Sequence, residues 1–198
     1  AVSTITVNPL PVANAGAPQA ICSGQTATLT ASGGGTYMWS TGATTATITV
    51  NPISTTSYIV TVTNVNGCSS TASTTVTVNA LPVANAGSPQ TICNGQSATI
   101  TASGGGTYIW STGATTAVIS VNPTATTTYT VTVTNSSGCT ATATTTVTVN
   151  ALPVANAGAP QTVCFGQTAT LTASGGGTYL WNNGSTLPTI TVLPSATT

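Results

Sequence analysis

No lysine, arginine, aspartate, glutamate or histidine occurs in these 198 residues, whereas an ordinary soluble domain is roughly one quarter charged. That absence excludes whole classes of function. General acid–base catalysis needs a side chain that titrates near the working pH, and a Ser, Thr or Cys nucleophile needs a neighbour to take its proton. Neither is present, so no enzyme is expected. Calcium needs carboxylate oxygens, zinc needs His or clustered Cys, and nucleic acids and anionic membranes need a basic face. No cofactor, metal or nucleic-acid partner is therefore expected.

Long apolar runs are missing as well. Hydrophobic residues make up 40% of the chain, yet no uninterrupted stretch reaches membrane-spanning length, so insertion as a helix is not expected. Threonine is abundant instead, at 49 positions. A Thr-rich, Cys-containing composition poor in helix formers suits an extracellular β protein.

The second feature is a repeat. Leu-Pro-Val-Ala-Asn-Ala-Gly begins at Leu10, Leu81 and Leu152, an offset of 71 residues each time. Trp39, Trp110 and Trp181 keep that offset, as do Cys22, Cys93 and Cys164, the pair Cys68 and Cys139, and the Ser-Gly-Gly-Gly-Thr-Tyr segments from Ser32, Ser103 and Ser174. A fixed period of this length marks an array of small like domains. Residues 1–8 (AVSTITVN) match 72–79 (ASTTVTVN) and read as the last strand of a preceding repeat. Residues 9–79 and 80–150 are complete repeats, and 151–198 is a third that stops before its last two strands. One consequence would be strand addition, with the leading strand of one molecule completing the last domain of the next.

Within the complete repeat, apolar residues alternate with period two. Ala98, Ile100 and Ala102 share a face, followed by Tyr108 and Trp110, then Ala117, Ile119 and Val121, then Tyr129, Val131 and Val133, then Ala143, Val147 and Val149. Thr and Ser fill most intervening places, which is the half-buried strand pattern. Turn residues fall at Asn94-Gly95, Gly104 to Gly106, Thr112-Gly113, Asn122-Pro123 and Ser137-Gly138. The fold predicted is all-β, a tandem of immunoglobulin-like antiparallel β-sandwiches with about seven short strands each.

Each sandwich has a thin core, so a disulfide would stabilise it substantially. Closing Cys22 to Cys68, or Cys93 to Cys139, contributes about 4 kcal/mol in the chain-entropy model. These intradomain pairs are the expectation. The alternative is Cys22 with Cys139, because the turn after the first strand and the hairpin before the last lie at opposite ends of a standard sandwich. Cys164 has no mate of either kind in this sequence.

Trp39, Trp110 and Trp181 each share a face with a Tyr two residues earlier and are expected in the core with Tyr58 and Tyr129, although an exposed Trp would offer a stacking platform for sugars. The Gly-Gly-Gly runs have no following Lys or helix and read as turns, not phosphate loops. Asn135 and Asn183 match the glycosylation sequon by chance-level spacing.

Ile92-Cys93-Asn94-Gly95-Gln96, Tyr108 to Gly113, and Thr128 to Asn135 running on to Gly138-Cys139 together resemble the tandem immunoglobulin-like or PKD-like repeats of very large surface proteins secreted by Bacteroidota. The resemblance covers the whole chain. It implies a cell-surface or released protein of the adhesin or gliding-motility type. PKD domains carry acidic residues just after the Trp, where this chain has Ser40-Thr41-Gly42 and Ser111-Thr112-Gly113, so no carboxylate-based role is inherited.

The expected function is mechanical, an extracellular stalk or self-assembling surface filament. The linkers Asn79 to Val83 and Asn150 to Val154 are short and contain a Pro that limits φ. Expected partners are neighbouring repeats or other copies of the chain, with surface glycans as a further candidate. The alternatives are a passive spacer that presents a distal adhesive domain and a carbohydrate-binding module.

Overall fold

The computed structural model describes residues 2–196. Two compact units divide the described residues, one of 2–88, 99–119 and 128–145, the other of 89–98, 120–127 and 146–196. The described residues are all-β and contain no helix.

The first repeat contributes β1 (Gln19–Cys22), β2 (Ala27–Thr30), β3 (Thr36–Trp39), β4 (Thr47–Val50), β5 (Thr56–Thr63) and β6 (Ser69–Asn79). They form a four-stranded sheet in the order β1-β6-β5-β3 and a two-stranded sheet of β2 and β4. Alternate residues of both sheets feed one core: Leu29, Ile48 and Val50 from the smaller sheet, and Ile21, Trp39, Tyr58, Val60, Val62 and Val76 from the larger. A single core shared by two sheets is an immunoglobulin-like sandwich. Thr and Ser occupy most of the alternate positions, where their β-branched or small side chains suit a solvated sheet face.

The second repeat follows the same plan with β7 (Gln90–Cys93), β8 (Ala98–Thr101), β9 (Thr107–Trp110), β10 (Val118–Val121), β11 (Thr127–Thr134) and β12 (Thr140–Asn150). Its sheets are β7-β12-β11-β9 and β8-β10. Each core position has a buried counterpart 71 residues on, from Ala98 and Ile100 to Val133 and Val147.

Three details differ from expectation. Six strands form per complete repeat, not seven, because the Leu-Pro-Val-Ala-Asn-Ala-Gly segment makes one isolated bridge, Asn14 to Ser32 in the first copy and Asn85 to Ser103 in the second. Gly16, at φ 81, then turns the chain, and Pro18 cannot donate to a ladder. The chain therefore resumes as β1 in the other sheet, where β1 pairs with β6 in parallel, Gln19 opposite Val76 and Cys22 opposite Asn79. Parallel pairing at this edge departs from the purely antiparallel sandwich predicted.

The third difference concerns strands without neighbours. In the third repeat β13 (Ala169–Thr172) and β14 (Thr189–Val192) pair as β2 and β4 do, but 161–164 and 178–181 form no strands. In the first repeat the equivalents of those segments, β1 and β3, hydrogen-bond only to β6 and β5. This sequence has no third copy of β5 or β6, so the ladders have nothing to form on. Residues 2–8, predicted as a strand, likewise form none, and Ile5 is 87% exposed; Ala1 lies outside the described residues. No helix among the described residues is long and apolar enough to cross a membrane.

Candidate functional site

The residues that bear chemistry are the cysteines, and the structure places two of them at the passage from the first repeat to the second. Asn79 ends β6 and Ala80 begins the linker. Two elements hold this one junction. From one side, β1 runs parallel to the end of β6 so that Cys22 lies opposite Asn79, and the Ser23 backbone N–H donates to the Asn79 carbonyl at 2.9 Å. Gln25 steadies the strand end by accepting the Cys22 N–H on Oε1 at 3.0 Å.

From the other side comes the turn between β11 and β12. Asn135 Oδ1 accepts the N–H groups of Ser137, at 3.1 Å, and Cys139, at 3.0 Å, which folds the turn around its own side chain. Its Nδ2 then donates to the Ala80 carbonyl at 2.8 Å. Cys22 and Cys139, pinned to adjacent residues of one linker, meet and form a disulfide with their Cα atoms 5.6 Å apart, inside the usual range for such a bond.

The predicted pairs Cys22 with Cys68 and Cys93 with Cys139 do not form; the bond is Cys22 with Cys139. The reason is the length of β6. Cys22 lies opposite its last residue and Cys68 immediately precedes its first, so the 11-residue strand separates them. At about 3.3 Å per residue that is roughly 36 Å, against the ~7 Å limit for bridging Cα atoms. Cys68, Cys93 and Cys164 are free thiols, Cys93 and Cys164 exposed and Cys68 partly covered.

Asn135 was legible only as a chance sequon beside the Ser137-Gly138 turn, and its counterpart Asn64 was not legible at all. Their side chains are structural: Asn64 Nδ2 donates to the Pro9 carbonyl at 2.9 Å in the first repeat just as Asn135 does to Ala80 in the second.

The aromatic residues divide. Trp39, Trp110, Tyr58 and Tyr129 are buried core residues, as predicted. Each Trp indole N–H is satisfied by a backbone carbonyl, Thr45 for Trp39 and Thr116 for Trp110, both at 3.0 Å. Trp181 keeps the same bond, to Leu187 at 2.8 Å, but is only partly buried. Trp181 is therefore not the core residue predicted, because the strands that cover its counterparts are not in this sequence. The glycine runs are turns with a packing duty. Gly35 and Gly106, at φ 148 and 142, lie so close to the carbonyls of Thr63 and Thr134 that a Cβ would collide with them. Among the described residues no group of three or more Cys could hold a metal ion.

Strand order and junction define a tandem immunoglobulin-like repeat protein. No family model matches the sequence, nor does any curated protein. Solved structures similar to the chain include a three-immunoglobulin segment of titin, 14% identical over 84% of this chain and 76% of that one, with a TM-score of 0.42. The insect immune protein hemolin is 16% identical over 75% of this chain and 48% of its own, with a TM-score of 0.39. The first five immunoglobulin domains of Sidekick-1 are 16% identical over 83% and 45%, also at 0.39.

Proposed function

We propose that the chain is a non-catalytic load-bearing array, part of an extracellular stalk or filament on a bacterial surface of the Bacteroidota type. The observation that carries this reading is the bond between Cys22 and Cys139, which ties one repeat to the next and spans a junction already clasped by hydrogen bonds. A disulfide is at home in an oxidising, extracellular setting. A composition without carboxylate, imidazole, ammonium or guanidinium side chains supplies extension and stiffness but no acid–base catalysis.

Between filament and passive spacer, one repeated surface feature favours the filament. Met38 is 52% exposed on β3, its counterpart Ile109 is 57% exposed on β9, and Leu180 follows at the same offset in the third repeat. An apolar side chain held outward once per repeat, on a surface with no charge to repel a second copy, suits lateral association. The carbohydrate-binding reading is less well supported, because Trp39 and Trp110 offer no exposed face for a sugar.

Negative-stain imaging with sedimentation in about 0.01 M and 1 M salt tests the choice, since the screening length falls from ~30 to ~3 Å between them. Ordered lateral or helical assemblies that persist unchanged in both are expected. Isolated flexible strings in both conditions would identify a spacer.

A further inference from the structure

Cys68 and Cys93 are free in the structure, yet each stands in a half-site already built to the plan of the bonded pair. Around Cys93, Gln96 Oε1 accepts its N–H at 3.0 Å and the Asn94 N–H donates to the Asn150 carbonyl at 2.9 Å. These are the bonds that Gln25 and Ser23 make around Cys22, at 3.0 and 2.9 Å. Around Cys68, Asn64 Oδ1 accepts its N–H at 3.0 Å and Nδ2 donates to Pro9, as Asn135 does for Cys139 and Ala80. Cys68 also directs its Sγ–H at the Asn8 carbonyl at 3.9 Å, and Asn8 is the counterpart of Asn79, the residue opposite Cys22. What differs is cover: Cys139 is 1% exposed, whereas Cys93 is open to solvent.

We infer that Cys22–Cys139 is one rung of a continuous disulfide ladder, in which every first-strand cysteine is bonded to the hairpin cysteine of the repeat that follows, 117 residues on. The mate of Cys68 is thus the first-strand cysteine of a preceding repeat of this same kind, and the mate of Cys93 is the hairpin cysteine of a following one. Each rung forms by exchange with a small-molecule disulfide such as oxidised glutathione. One cysteine thiolate attacks it, forming a mixed disulfide and releasing one glutathione thiolate. The facing cysteine thiolate then displaces the second, so the two protein thiols lose two electrons and two protons and one glutathione disulfide becomes two thiols. Because the spacing of 117 exceeds the period of 71, successive rungs overlap, and residues 93–139 fall inside two closed loops at once. Tension then passes from rung to rung while most of every sandwich lies off the covalent path.

The test lengthens the 198-residue chain at its N-terminus with a copy of Leu10–Thr71, which makes Ala1 onward the end of a complete added repeat. After oxidation in a glutathione buffer, alkylation and non-reducing digestion, mass mapping is expected to show Cys68 joined to the added copy of Cys22, with Cys22–Cys139 retained. A Cys68 that stays free, stays glutathionylated or bonds any other cysteine overturns the ladder. A second variant adds a copy of Thr128–Asn150 after Thr198, which is itself the counterpart of Thr127. Protection of Trp181 from an aqueous quencher reports that the added strands have docked, and Cys93 is then expected to bond the added hairpin cysteine. Docked strands with Cys93 still alkylated, or bonded to Cys164, overturn it equally. Should either added segment fail to fold, the other decides.

Discussion

Asn135 and Cys22 hold adjacent residues of one linker: the Asn135 amide donates to the Ala80 carbonyl at 2.8 Å, and Cys22 lies opposite Asn79 in the β1–β6 ladder. The disulfide is thus a consequence of two independent grips on the same backbone. Asn135→Asp separates the two duties of the side chain, since a carboxylate still accepts the Ser137 and Cys139 N–H groups but cannot donate to Ala80. With one hydrogen bond lost and a carbonyl facing a carboxylate, we expect the junction to weaken by about 1–3 kcal/mol. The measurable outcome is slower formation of Cys22–Cys139 from the reduced chain, with the second repeat still folded by its tryptophan emission. An unchanged oxidation rate would show that the clasp does not position Cys139.

Loss of the rung itself has a mechanical signature. In Cys22→Ser/Cys139→Ser the unfolded chain is freed from a loop of 117 residues, which in the chain-entropy model is worth about 5 kcal/mol. Pulled from its ends, the oxidised chain should release nothing from residues 23–138 when its sandwiches open. The double variant, or the parent in reductant, should lengthen by an additional ~40 nm of contour, at ~3.4 Å per residue. Equal contour lengths with and without reductant would mean that the bond does not carry the load.

Much of the sandwich was legible because burial and side-chain period coincide: Tyr129, Val131 and Val133 alternate in sequence and are buried in the structure. The cysteine pairing was not, because it depends on register between distant segments. No local pattern states that β1 lies parallel to β6, or at which end, and that single fact carries Cys22 away from Cys68. The turn at Ser137-Gly138 was readable, but the contact of Asn135, and of Asn64 in the first repeat, with a linker 55 residues earlier is a tertiary relation. The missing strands at 161–164 and 178–181 show the same limit from the other side. Their residues match β1 and β3 closely, yet strand character came from the neighbour and not from the segment.

The glycine runs offer a sharper contrast between adjacent positions. Gly105, at φ 68, has open space where a Cβ would stand, whereas at Gly106, φ 142, a Cβ meets the Thr134 carbonyl oxygen. Gly105→Ala bears only the cost of a left-handed conformation, about 1–2 kcal/mol. Gly106→Ala must also push the end of β11 aside, so a loss of about 3 kcal/mol or more is expected. Denaturant midpoints of the two variants measure the difference. Equal midpoints would mean that the loop and β11 can separate at no cost.

Thr74 and Thr145 occupy the same place in successive repeats, within β6 and β12, and both are buried with hydroxyls that have no hydrogen-bond partner among the described residues. Thr74 lies opposite Tyr58 in the β5–β6 ladder, so its hydroxyl sits among core side chains with no protein group in hydrogen-bond reach. An unsatisfied buried hydroxyl costs about 1–3 kcal/mol, and replacing it with a group of the same shape removes that cost. Thr74→Val and Thr145→Val should therefore each stabilise their repeat by about 1–2 kcal/mol, read as a higher denaturant midpoint at constant slope. Thr71→Val on the same strand is the control, because Thr71 is exposed and its hydroxyl already meets water. A loss of stability in both buried variants would show that the two hydroxyls are satisfied by a partner such as a bound water, and that this threonine is retained in each repeat for the bond it makes.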